Sequence, residues 1–209
     1  MKAHTKESQA TMTPEKAKQF LKEGNERFQN NLKANRNLLR QVNETVDGQF
    51  PFATILSCID SRVSAELVFD QGLGDIFSVR IAGNFVNVDI LGSMEFACKL
   101  AGTKLIVVLG HTSCGAIKGA CDRARLGNLT KLIEKIEPAV DATVEPTDES
   151  QRNSKNLDFV DHVAKKNVEL TIDRIRKESP VLADMEDLGD IKIVGAMYSV
   201  ETGVVEFIC

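Results

Sequence analysis

The clearest pattern along the chain is the apolar run KLIVVL at residues 104–109, closed by Gly110, which reads as a strand buried on both faces. A shorter apolar run at 52–57 and a mixed one at 75–80 predict two further strands. Between them, residues 64–69 and 89–101 carry helical patterns, and another helix starts near Gly115. Residues 122–155 are more polar and include TVEPTDESQRNSKN, which predicts a surface excursion. A long helix is expected over 159–178, then a strand at 191–198, a turn at Glu201-Thr202-Gly203 and a hairpin partner at 204–208. Strand, loop and helix alternate, so the predicted fold is α/β, a mainly parallel central sheet flanked by helices with an antiparallel edge strand.

Ahead of this, residues 13–31 repeat apolar positions at helical spacing (Ala17, Phe20, Leu21, Gly24, Phe28). Thr13 can cap that helix, Pro14 suits its first position and Glu15 favours its positive end. Residues 30–49 are polar and read as irregular, with room for a short helix. The chain thus divides into an N-terminal helical arm, residues 1–50, and an α/β domain, residues 51–209.

Composition narrows the function more than the fold. A net charge of −4 leaves no basic stripe for nucleic acid or an anionic membrane. No apolar run approaches the roughly 20 residues needed to span a bilayer. The polar start, MKAHTKESQATMTPEK, lacks a secretory signal's apolar stretch, which points to the cytoplasm; a signal already removed would place the chain in the periplasm. Five cysteines, at 58, 98, 114, 121 and 209, form an odd set without tight disulfide spacing. No Cys-x-x-Cys occurs, which argues against a thiol-redox protein. Cys98 and Cys121 fall on expected helices and read as buried packing residues, Cys209 has no assignable role, and His4 and His162 read as solvent-facing.

Two loops carry chemistry, each directly after an expected buried strand: Cys58-Ile59-Asp60-Ser61-Arg62 and Gly110-His111-Thr112-Ser113-Cys114-Gly115. In open parallel sheets, ligands bind beyond the carboxyl ends of strands, so both loops can meet in one crevice. Cys58, His111 and Cys114 offer two sulfurs and one nitrogen, with no fourth Cys or His in either loop, as in a catalytic zinc site that keeps one position open. Arg62 can hold Asp60 by a two-point hydrogen bond. Asp60 so held can accept a hydrogen bond from a metal-bound water, or swing onto the metal and block it. A noncatalytic zinc module stays as the alternative from another class, with the Asp60–Arg62 pair weighing against it.

CIDSR followed about fifty residues later by GHTSCGA resembles the beta-class carbonic anhydrases, whose metal loops read Cys-x-Asp-Ser-Arg and His-x-x-Cys. The likeness extends through FSVRIAGN and the closing GAMYSVETGVVEF, covering residues 12–208. The resemblance implies a zinc lyase in which a zinc-bound hydroxide, held by Cys58, His111 and Cys114, hydrates carbon dioxide reversibly to bicarbonate, with Asp60 and Arg62 as catalytic dyad. It implies a substrate pocket drawing on Gln49, often across a subunit boundary, on apolar walls at Phe77 and Ala82, and on close backbone approach at Gly83 and Gly115. Ile81 departs from the Arg-Asn-Ala-Gly-Asn common in relatives, a change of packing more than chemistry. With no Trp and a single Tyr, Tyr198, the chain is expected in the branch lacking the inhibitory bicarbonate site. The family likeness further implies that the 13–31 helix embraces a second subunit in a homodimer or dimer of dimers; packing on its own sheet is the alternative. Hydrolysis of carbon disulfide or carbonyl sulfide is the rival reaction on the same scaffold.

Overall fold

The computed structural model describes residues 2–208; Met1 and Cys209 lie outside the described residues. Strands β1 (Ala53–Ser57), β2 (Ile76–Arg80), β3 (Leu105–His111) and β4 (Lys192–Tyr198) run parallel, and β5 (Val205–Phe207) is antiparallel to β4. Their spatial order is β2-β1-β3-β4-β5. The chain therefore leaves β1 toward one side of the sheet and returns as β3 on the other. Such a reversal opens a crevice at the carboxyl ends of those two strands.

Helices α1 (Lys6–Ala10), α2 (Pro14–Gln29) and α3 (Leu38–Glu44) precede the sheet. Within and after it come α4 (Ala65–Val68), α5 (Val88–Glu95, prolonged by a π-helical turn Phe96–Leu100), α6 (Gly115–Cys121), α7 (Gly127–Ile133), α8 (Glu137–Ala142), α9 (Leu157–Glu178) and α10 (Pro180–Asp187). Every residue of β1 and β3 is buried, as unbroken apolar runs demand of strands covered on both faces. One face packs Ile55, Leu105 and Val107 against α2 and α4; the other packs Leu56, Ile106 and Val108 against α5, α9 and α10.

Helix α2 begins as its sequence suggests, with the Thr13 hydroxyl accepting the Lys16 N–H at 3.2 Å and Pro14 opening the first turn. Its stripe covers the chain's own sheet: Ala17 and Leu21 are fully buried in the core around Phe52 and Phe69. Gly24 permits that approach, since a β-carbon there would lie 1.8 Å from the Phe69 carbonyl oxygen. Buried Asn25 completes the attachment, donating to the Val68 and Gly203 carbonyls and accepting from Val205 N–H. In the same segment α3 leaves Leu38, Leu39 and Val42 exposed.

The 122–155 stretch departs from the expected surface excursion. Helices α7 and α8 lie within it, and Ile133, Ile136, Ala139 and Val140 are buried in the same cluster as Cys58 and Cys114. The polar residues between these few apolar positions dilute the helical period, which is why the sequence reads as a loop.

Candidate metal centre

Cys58 follows β1 directly, His111 ends β3, and Cys114 caps the start of α6, so two neighbouring strands deliver all three to the crevice. All three side chains are buried, and their ligand atoms lie within 4.8 Å of one another. Among the described residues this is the one group of three or more Cys, His, Asp or Glu side chains so arranged. The His111 ring is oriented by its own loop: Nδ1 donates to the Thr112 carbonyl at 2.9 Å, which leaves Nε2 with the lone pair. Nε2 is buried and has no hydrogen-bond partner.

Three observations fit a tetrahedral thiophilic metal such as zinc. A buried imidazole nitrogen without a partner costs free energy unless a cation takes its lone pair. The two sulfurs stand 3.9 Å apart. Bonds of about 2.3 Å at a tetrahedral angle put two sulfurs roughly 3.8 Å apart. The contact between the two thiols also governs their acidity. The hydrogen bond with Cys114 pulls the Cys58 thiol well below its ordinary range, while the same contact, together with burial, drives the Cys114 thiol far up. A cation between them removes that penalty and lets both serve as thiolates.

Asp60 and Arg62 form the expected pair. Arg62 Nε and Nη2 donate to the two carboxylate oxygens at 2.9 and 2.7 Å, and the Arg62 backbone N–H adds a third bond at 2.9 Å. That grip holds the Asp60 carboxyl far below the usual carboxylate range. Arg80, part of the FSVRIAGN stretch but with no role expected from it, braces this loop from the end of β2 through bonds to the Cys58 and Asp60 carbonyls at 3.0 and 2.7 Å.

The expected pocket residues divide into two groups. Ala82 and Gly83 sit beside the metal ligands: Gly83 N–H points at Cys58 Sγ at 3.5 Å, and its φ of +79° suits glycine. Gly115 opens α6 next to Cys114; it is exposed, and a β-carbon added there would meet nothing within 4 Å. Gln49 and Phe77 are not brought to the centre of their own chain. Gln49 is exposed and precedes the amino end of β1, whereas Cys58 follows its carboxyl end. Phe77 pairs with Thr54, well back along β1, and its ring meets Phe96 with centroids 6.3 Å apart.

Two further contributors come from α9. Asp161 Oδ1 accepts the Ser113 N–H and Asn167 Nδ2 donates to the Gly83 carbonyl, each at 2.8 Å. Burial pushes the Asp161 carboxyl up, against the pull of the Ser113 N–H. No local motif marks either residue, because their partners are 48 and 84 positions away. Cys98 and Cys121 are buried on helical turns, as expected, and His162 is exposed. His4 is not freely solvent-facing: it is half-buried, its ring edge-on to Phe52 at 5.2 Å.

Comparison with known proteins agrees with this geometry. A family model described as carbonic anhydrase matches residues 53–205, well over half the chain. Carbonic anhydrase 2 of Mycobacterium tuberculosis is 36% identical over 202 residues, spanning 91% of this chain and 90% of its own length. The fold resembles the β-carbonic anhydrase CafA of Aspergillus fumigatus, with a TM-score of 0.72 at 24% identity over 80% of this chain and 79% of that one. It also resembles two tetrameric β-carbonic anhydrases of Sordaria macrospora, with a TM-score of 0.69 at 21% identity over 80% and 85%.

Proposed function

This chain belongs to the carbonic anhydrase family, beta class, and from that membership we propose that it binds zinc through Cys58, His111 and Cys114 and interconverts carbon dioxide and bicarbonate. The observation that carries the reading is the buried Cys-His-Cys triad, with an imidazole nitrogen left free for a metal at the sheet's natural ligand crevice.

Zinc held there supplies the Lewis acidity that makes water nucleophilic near neutral pH. The protein's part begins with Asp60. Its Oδ1 accepts two hydrogen bonds from Arg62 and its Oδ2 one, so Oδ2 keeps a lone pair for the attacking water's proton. Being ionised, Asp60 is an acceptor only, which turns that water's own lone pair toward carbon dioxide. The same grip of Arg62 would restrain Asp60 from reaching a metal held by the three donors, which would leave its open position to water. Ala82 and Gly83 offer a small apolar wall for a linear, uncharged molecule.

Gln49 and Phe77 fit this scheme if a second copy supplies them. Among the described residues the outer edge of β2 has no strand partner, and exposed Val88 and Phe96 line one hollow with its residues Phe77 to Arg80, as suits a face covered by another subunit. A homodimer or dimer of dimers is accordingly the proposed working form, to be checked by light scattering on the eluted protein.

Stopped-flow hydration of carbon dioxide by zinc-loaded and chelator-stripped protein, from about pH 6.5 to 9, tests the reading. Zinc-dependent hydration that increases with pH is expected. No hydration anywhere in that range with zinc bound overturns it.

A further inference from the structure

The three metal donors come from separate points of the chain, yet a single helix is tied to the loops around all of them. Ser113 stands between His111 and Cys114 with φ +54°, a conformation that side chains with a β-carbon seldom adopt. The Ser113 N–H is met by Asp161 Oδ1 at 2.8 Å. Six residues further along α9, Asn167 is buried and donates to the Gly83 carbonyl at 2.8 Å. Gly83 is the residue whose own N–H points at Cys58 Sγ. Asp161 therefore bears on the loop of two donors, and Asn167 on the carbonyl of the residue whose N–H faces the third.

Helix α9 is well placed for this. Val160, Val163, Ala164, Val168, Ile172 and Ile175 bury its apolar side across the sheet and against α8. Losing one polar contact should leave that docking in place, so the two polar side chains can be probed separately from the helix that carries them. Metal affinity depends on how well the donors are fixed before the ion arrives, and side chains behind the ligands typically contribute 10- to 100-fold.

We propose that Asp161 and Asn167 are positioning residues for the metal centre: Asp161 fixes the loop carrying His111 and Cys114, and Asn167 anchors Gly83 through its carbonyl, which holds the Gly83 N–H toward Cys58. Neither touches metal or substrate. The proposal rests on the metal-binding reading above and extends it to two residues outside both sequence motifs.

The test is zinc affinity of the full chain by chelator competition, with the visible spectrum of the cobalt-substituted protein as a second readout. Asp161→Ala removes the acceptor, whereas Asp161→Asn keeps an oxygen in nearly the same place. The Ala variant should bind zinc about tenfold more weakly or worse, with altered cobalt bands. The Asn variant should stay within about threefold of the parent, since its amide oxygen still accepts the Ser113 N–H. Asn167→Leu, similar in volume but unable to donate, should weaken zinc by about tenfold as well.

A folded Asp161→Ala protein with the parent's zinc affinity and cobalt spectrum would overturn the assignment of Asp161. So would an Asp161→Asn protein, folded by circular dichroism, that is as impaired as complete loss of the contact predicts; this holds even if the Ala variant does not fold. Unchanged zinc affinity in Asn167→Leu removes Asn167. If the parent itself takes up no zinc, the metal reading fails rather than the placement of these two residues.

Discussion

Replacing Gly83 with alanine puts one added atom against a full core. A β-carbon at this position would lie 2.3 Å from Ile136 Cδ1, 3.2 Å from Ile136 Cγ1 and 3.4 Å from the Ala116 β-carbon. Ile136 is fully buried, so its terminal methyl has little room to turn away. The backbone adds its own penalty, because φ is +79°. A left-handed conformation costs an alanine about 1–2 kcal/mol. Overpacking a full core costs typically about 1–3 kcal/mol, so the two together predict a loss of about 2–5 kcal/mol. Against a total stability of about 5–15 kcal/mol, the variant should fold but melt about 4–20 °C lower.

Zinc affinity should fall alongside, because the displaced peptide carries the N–H directed at Cys58. The double variant sharpens the test. Ile136→Val alone removes a buried methyl group and should cost about 0.5–1.5 kcal/mol. In the Gly83→Ala background it removes the atom that clashes, so the two substitutions should couple favourably by about 1 kcal/mol or more. Gly115→Ala is the stability control, since no atom lies within 4 Å of its β-carbon position. Urea denaturation and thermal melts of the parent and these variants decide the matter. A Gly83→Ala protein within about 0.5 kcal/mol of the parent, or strict additivity with Ile136→Val, would refute the packing argument.

Asp60→Asn should retain zinc, because Asp60 is no ligand in this arrangement, yet lose about 10²-fold or more in hydration rate; full turnover with metal bound would remove Asp60 from the chemistry. Asp70 is buried at φ +44° and bonded to Arg27 and Arg36, with Arg36 Nη1 at 2.6 Å. Burial alone would raise its pKa, but hydrogen bonds from Arg27, the Ala34 N–H and Arg36 outweigh it and leave the carboxyl below its ordinary value of 3.8. A depressed folded-state pKa stabilises the protein above the unfolded value and ceases to do so as pH falls through the folded one. Asp70→Asn should therefore cost about 3 kcal/mol at neutral pH, and the gap to the parent in urea melts should narrow only below about pH 4. A gap independent of pH down to unfolding would contradict the ionic reading.

The sequence was most readable where local chemistry and local structure coincide. Residues 104–109 are apolar enough to require a covered strand, and β3 is that strand carried on to His111. Cys58 and His111 stand out because each follows an apolar run and sits among polar or glycine residues. The Asp60–Arg62 pair closes over two positions and can be inferred without a fold. The roles of Arg80, Asp161 and Asn167 could not be read in this way, even though Arg80 lies in the FSVRIAGN stretch: they are hydrogen bonds to backbone groups 20 to 84 residues distant, which only the fold brings within reach. Gln49 and Phe77 were named by family likeness, and one chain's geometry keeps them from its own metal centre. The α7–α8 segment was lost for another reason. Its buried isoleucines, Ile133 and Ile136, are separated by Glu134 and Lys135, so the apolar face shows only once the turns are folded.

The central claim is that one zinc is held by two cysteines and a histidine, and X-ray absorption at the zinc edge of the purified protein addresses it directly. The expected result is one zinc per chain with two sulfur neighbours at about 2.3 Å and nitrogen or oxygen neighbours at about 2.0 Å. A first shell without sulfur, or one made of four sulfurs, would contradict it.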